Sequence, residues 1–205
     1  MNDLMQTLKD DIAFMKGVTQ DSSRTFIRDG AILIAVGTIF GLDSLRFWGI
    51  EAGFLPWAKP TEHFYGFDAF AIFLVVLYVI MRRFRGLAQG AGARAVSAAW
   101  LGVGVAYVVA LLSLGAAAWR LKQPLLMVWI PPTILFTLYG ATWWVAFAVK
   151  RRAWLAGVAI GSFATAILSG LAIPSPHEWA VLAFGLFLWV AAPGIVIVRQ
   201  ARASS

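Results

Sequence analysis

Asp43, Glu62, His63, Asp68, His177 and Glu178 are the residues of this chain whose types can do chemistry, and all six fall near the ends of apolar runs. Histidine beside carboxylate can bind a divalent metal or relay protons. Both histidines of the protein belong to this set, yet His63 and His177 lie far apart and no H-E-x-x-H spacing ties them together. Hydrated residues at helix ends have the same composition, and the sequence favours that plainer reading. Asp68 is the strongest single member. It sits about one turn inside an apolar run, where a carboxylate begins to cost free energy and turns toward the protein interior. At a helix N-terminus the dipole would equally hold it as a structural cap.

A second polar set lies inside one apolar run. Thr133, Thr137 and Tyr139, followed by Thr142, come just after Pro131 and Pro132. Those prolines remove two backbone donors and should bend or interrupt a helix. A broken helix at membrane depth is one way to build a solute site. More commonly the hydroxyls simply satisfy backbone carbonyls, and Trp143 with Trp144 reads as an interface or packing pair.

No catalytic residue, metal site or cofactor is expected. The chain has no G-x-S-x-G, no P-loop and no dinucleotide glycine fingerprint. It has no cysteine, which excludes thiol catalysis, disulfides and thiolate metal sites. Pro174-Ser175-Pro176-His177 resembles the P-S-G-H element of membrane lipid phosphatases only superficially. Pro176 replaces the glycine and no companion basic motif follows.

The elements that must position these residues are membrane helices. Of 205 residues, 60% are hydrophobic and 13% charged, with a mean hydropathy of +0.78, far from the composition of a soluble domain. Ten Trp suit a chain with two bilayer interfaces. The formal charge of +7 lies in short clusters between apolar runs, which points to lipid topology and not to nucleic acid. The fold class is therefore all-α, a polytopic membrane protein with six spans at about 30–45, 65–81, 96–118, 124–149, 153–173 and 178–198. A transmembrane domain of 26–198 would be flanked by an N-terminal helix over 1–25 and a tail over 199–205. The stretch from Met127 to Val149 is the clearest span, uncharged until Lys150, Arg151 and Arg152.

Six spans put both termini on one side. That side then carries Lys9, Lys16, Arg24, Arg28, Arg82, Arg83, Arg85, Arg94, Lys150, Arg151, Arg152, Arg199 and Arg202, against Arg46, Lys59, Arg120 and Lys122 on the other. By the positive-inside bias both termini are cytoplasmic. Small residues suited to close helix approach are Gly37 with Gly41, a ridge of Ala98, Gly102, Ala106 and Ala110, and a ridge of Ala153, Gly157, Gly161, Thr165 and Ser169.

Residues 2–22 place Leu4, Leu8, Ile12 and Met15 at helical spacing, with Lys9, Asp10, Asp11 and Lys16 mainly opposite. Such a helix lies on the membrane surface or docks on a protein partner. It carries no small-residue cleavage site, so no removable signal peptide is expected. The opening Leu8-Lys9-Asp10-Asp11-Ile12-Ala13-Phe14-Met15, followed by a polar gap and a Gly-containing apolar span, resembles the start of small bacterial inner-membrane proteins, mainly alphaproteobacterial, with no established activity. That resemblance implies a bacterial inner membrane and carries over no functional residue.

Two functions follow as expectations, the first favoured and the second its alternative. One is a non-enzymatic regulatory or assembly subunit with a filled interior, acting through lipid-embedded and cytoplasmic contacts. The other is a small-solute carrier, or the permease subunit of an ATP-driven exporter, with Arg82 to Arg94 where a coupling loop would lie. A carrier should contain a cavity lined by Thr133, Thr137, Tyr139 or Asp68.

Overall fold

The computed structural model describes residues 2–56, 67–84 and 91–203. Every regular element among them is helical: α1 (Asn2–Glu51), α2 (Phe67–Arg83), α3 (Ala91–Leu121), α4 (Leu126–Lys150), α5 (Ala153–Ala172), α6 (His177–Leu186) and α7 (Ala192–Ala203). A π-helical turn, Phe187–Ala191, joins α6 to α7 in one rod. Five helices are long and apolar enough to cross a membrane: Thr25–Glu51 within α1, Ala95–Leu121 within α3, α4, α5, and the rod His177–Ala203. Helix α2, at 17 residues, is the shortest candidate. The apolar side chains Val75, Tyr78 and Val79 of α2 and Leu101, Val105 and Leu112 of α3 point outward, as a hydrocarbon solvent requires and water would penalise.

Three expected boundaries change. The first span is not a 16-residue stub ending at Leu45, because the helix runs on to Glu51. Asp43 and Arg46, which looked like its end, sit one turn apart and pair at 2.6 Å. Their charges neutralise each other on the helix surface, so the helix continues. The helix expected over 1–25 is not a separate element either. No proline precedes Pro56, and the backbone from Asn2 runs into the first span without a break. At the other end, the supposed tail from Arg199 is helical to Ala203. Pro131 and Pro132 are accommodated inside α4, which is continuous.

Two close contacts build the frame. Helix α1 lies along the whole α6–α7 rod, and α4 packs on α5. In the first, a Cβ added at Gly37 would stand 2.5 Å from Ala191 N and 2.8 Å from Leu186 O, and one at Gly30 would stand 2.8 Å from Gly194 O. Only glycine lets the backbones approach so far. Gly41 meets the Phe187 ring, Gly161 the Trp189 ring and Gly140 the Phe163 ring. Gly102 and Gly157, expected in packing ridges, instead face open space. Helix α5 buries a different stripe, Leu155, Val158, Ala159, Ser162, Thr165, Ala166 and Ser169. Two of its hydroxyls donate within the helix, Ser162 Oγ to Val158 O and Thr165 Oγ1 to Gly161 O, both at 2.9 Å.

The π turn has a local cause. Pro193 has no N–H, so the carbonyl of Trp189, four residues earlier, loses its normal helical donor. The indole Nε1–H of Trp143 on α4 donates to that carbonyl at 3.0 Å. Trp189 in turn donates its own indole N–H to Thr165 Oγ1 at 2.9 Å. Widening the helix to i→i+5 bonding ahead of a proline relieves the ring clash, and Ala192 N–H bonds Phe187 O accordingly.

Candidate functional site

Helix α2 packs on α1 and helix α3 on α4, and between the two pairs lies a chamber of 1570 Å³. That exceeds the roughly 300–1,000 Å³ of sites for drug-sized ligands. Its wall is supplied by Val36, Phe40 and Phe47 of α1, Phe70 and Phe73 of α2, Gly104, Tyr107, Val108 and Leu111 of α3, Met127, Val128, Pro131, Pro132 and Leu135 of α4, and Leu182 and Leu186 of α6. Measured by helical rise, it extends about 16 Å along α1 from Val36 to Phe47 and about 18 Å along α4 from Met127 to Tyr139. Half of a bilayer's hydrocarbon core is about 15 Å. The chamber is thus about as long as one leaflet of hydrocarbon is deep.

Its floor is Tyr139, backed by rings that lie outside the lining. Trp100 stands edge-on to Tyr139 at 5.4 Å and to Trp143 at 5.3 Å, and Phe136 meets Tyr139 at 6.3 Å. Edge-to-face rings are a favoured packing, and Phe136 and Trp143 are fully buried. Its side is open. Phe70 on α2 and Val108 on α3 line the chamber while 49% and 54% exposed, which marks the slot between these helices as its rim.

The polar end gathers Asp43, Ser44, Arg120 and Lys122. Asp43 pairs with Arg46, whose guanidinium also binds Asp68 at 2.7 Å and lies 4.8 Å from the Phe47 ring centre. Asp68 accepts Ala69 N–H as well, so its role is to tie the start of α2 to α1. It does not line the chamber. Ser44 Oγ is spent on Phe40 O at 2.7 Å. Arg120 and Lys122 have no ion-pair partner among the described residues. Lys122 ends α3 in the left-handed region, with φ 55°.

Of the other expected site residues, Tyr139 alone lines the chamber. Thr137 Oγ1 donates to Thr133 O at 2.8 Å and Thr142 Oγ1 to Leu138 O at 3.0 Å, which is the ordinary back-bonding of threonine in a helix. Thr133 Oγ1 is buried without a partner. His177 accepts the indole N–H of Trp48 at 3.4 Å. Glu178 is buried, and its Oε1 has no hydrogen bond. Glu62 and His63 lie outside the described residues. No three His, Asp or Glu come together as a metal site among the described residues.

Sequence reasoning raised a cavity only as the carrier alternative and misjudged most of its lining, because the chamber has no motif. The one available signal was the pair Pro131 and Pro132, which strips the carbonyls of Met127 and Val128 of their helical donors in a stretch that lines the cavity. The chain matches no protein-family model, no curated protein and no solved structure.

Proposed function

We propose that this is a six-span, non-catalytic membrane protein whose chamber takes the apolar chains of an amphiphile from one leaflet of the bilayer, as a carrier or presenting protein. The observation that carries the reading is the chamber itself, a leaflet-long, apolar volume with an aromatic floor, an exposed rim between α2 and α3, and charge at one end only. Of the two expected functions, the carrier called for such a cavity and the regulatory subunit for a filled interior. Here Tyr139 is the shared residue, whereas Thr133, Thr137 and Asp68 are otherwise engaged or placed.

In this reading α2 is the sixth span. Its 17 residues rise about 24 Å, and Arg82 and Arg83 at its end can reach the headgroups while the bilayer thins locally. With both termini cytoplasmic in a bacterial inner membrane, the polar end of the chamber faces the outer leaflet. A partner subunit keeps one supporting observation. The ridge of Ala98, Gly102 and Ala106 faces outward on α3, with open space at Gly102, and a second helix could approach it closely.

Photo-labelling of the reconstituted protein with a chain-tagged diazirine phospholipid tests the proposal. Saturable labelling of peptides containing Leu111, Met127 or Leu135, removed by Leu111→Trp, is expected. Labelling confined to the outward faces, and equal in the variant, would overturn it.

A further inference from the structure

An apolar chamber binds the chains of any lipid with little preference, so selection has to come from the polar end. Resting on the chamber reading above, we infer that the occupant is a two-chain phospholipid with an anionic headgroup, held by Arg120 and Lys122. Among the described residues, the charges facing that end are few. From α1, Asp43 contributes a carboxylate already paired to Arg46, and Arg46 is shared between Asp43 and Asp68. That triad offers no free cation. From α2, Asp68 is consumed in the same triad. From α6, Glu178 is buried outside the lining, and His177 is engaged by Trp48.

What remains comes from the end of α3. Arg120 and Lys122 are exposed lining residues, two positions apart, without an ion-pair partner among the described residues. Trp119 beside them is 85% exposed, the amphipathic ring expected at headgroup level. A guanidinium and an ammonium at the mouth of a lipid-deep slot match a phosphate in charge and in donor geometry. The volume of 1570 Å³ is larger than a single-chain ligand of drug size would fill, which selects a two-chain lipid over a free fatty acid.

Cations at a helix C-terminus also suit the helix dipole, and that role alone would affect stability without affecting headgroup choice. The test separates the two. Purified protein in mild detergent is titrated with dioleoyl phosphatidylglycerol and with dioleoyl phosphatidylcholine, and bound lipid is counted by native mass spectrometry. The wild type should prefer phosphatidylglycerol by about 30-fold, the effect of two cations near a surface. Arg120→Gln with Lys122→Gln should bring the ratio near one by weakening phosphatidylglycerol alone, with circular dichroism confirming the fold. Leu111→Trp should weaken both lipids. A wild-type ratio near one, a preference that survives the double variant, or oleate competing as well as phosphatidylglycerol each overturns the headgroup inference and leaves the chamber standing. If Leu111→Trp leaves both affinities unchanged, the chamber reading falls, and this inference with it.

Discussion

Gly37→Ala adds one methyl group at the place where the frame of this protein is tightest. The new Cβ would stand 2.5 Å from Ala191 N and 2.8 Å from Leu186 O, whereas ordinary contact begins near 3.4 Å. Both obstacles are backbone atoms of the α6–α7 rod at its π turn, so no side chain can rotate away. Helix α1 must retreat by roughly 1 Å, and a gap of that size forfeits a quarter to a half of each dispersion well along the contact. Overpacking of this kind costs about 1–3 kcal/mol. Alanine's better helix propensity returns at most about 1 kcal/mol. With backbone atoms as both obstacles the cost falls at the upper end of that range, so the net loss of about 2 kcal/mol should lower Tm by roughly 4–8 °C for a chain of this length.

The controls are Gly102→Ala and Gly157→Ala. A Cβ at either position meets nothing within 4 Å, so only the propensity gain remains and Tm should hold or rise. Intrinsic-fluorescence melting in one detergent reads all three variants. If Gly37→Ala melts with the wild type, or if all three fall together, glycine-mediated contact between α1 and the rod is not what holds the frame.

Trp143→Phe removes the donor to the Trp189 carbonyl that Pro193 leaves unpaired, and a buried orphan acceptor costs about 1–3 kcal/mol, so it should lower Tm by several degrees while Trp144→Phe, at an exposed position, leaves it unchanged. Glu178→Gln replaces a buried carboxyl lacking one hydrogen bond with a neutral isostere, and Tm at neutral pH should rise; a fall would show that the carboxylate has a partner. Asp68→Asn breaks a partly exposed bridge worth about 0.2–1 kcal/mol. It should shift Tm by no more than a few degrees, less in high salt, and leave lipid binding within twofold by native mass spectrometry.

The positions of the apolar helices were legible because lipid imposes a one-dimensional code of length and apolarity, so α4 and α5 lie within two residues of their expected ends. What failed were ends inferred from charge. Asp43 and Arg46 looked like a terminus, yet they cancel across one helical turn. Packing was half legible. The Gly37–Gly41 pair and Gly161 meet the rod, whereas Gly102 and Gly157 have the same residue type and spacing but point outward, because a ridge states that a close approach is permitted and not that a partner stands there. The candidate site was the least legible part. Asp68 was singled out for its depth, but Arg46, 22 positions earlier, fixes its role, and that pairing is a tertiary fact. The link from Pro193 through the Trp189 carbonyl to Trp143 could have been sought in the sequence by asking which carbonyl each proline orphans.

The distribution of close packing also explains why the opening lies where it does. Helices α1, α6 and α7 meet through glycines with backbones almost in contact, and α4 with α5 share a continuous buried face tied to the rod by Trp143 and Trp189. In this frame, parting α4 from the rod would lose the hydrogen bond to the orphaned Trp189 carbonyl, and parting α5 from it would lose the bond from Trp189 to Thr165. Helices α2 and α3 each lean on one member of that frame, α2 on α1 and α3 on α4. Helix α2 is fastened by the Arg46–Asp68 bridge at its N-terminal end and by Phe73 against Phe40, their rings 5.6 Å apart, while α3 is fastened at the floor by Trp100 against Tyr139 and Trp143. The two panels are therefore held by different members of the frame. A lipid chain entering between Phe70 and Val108 displaces only lipid-facing surface, and the frame behind it need not move.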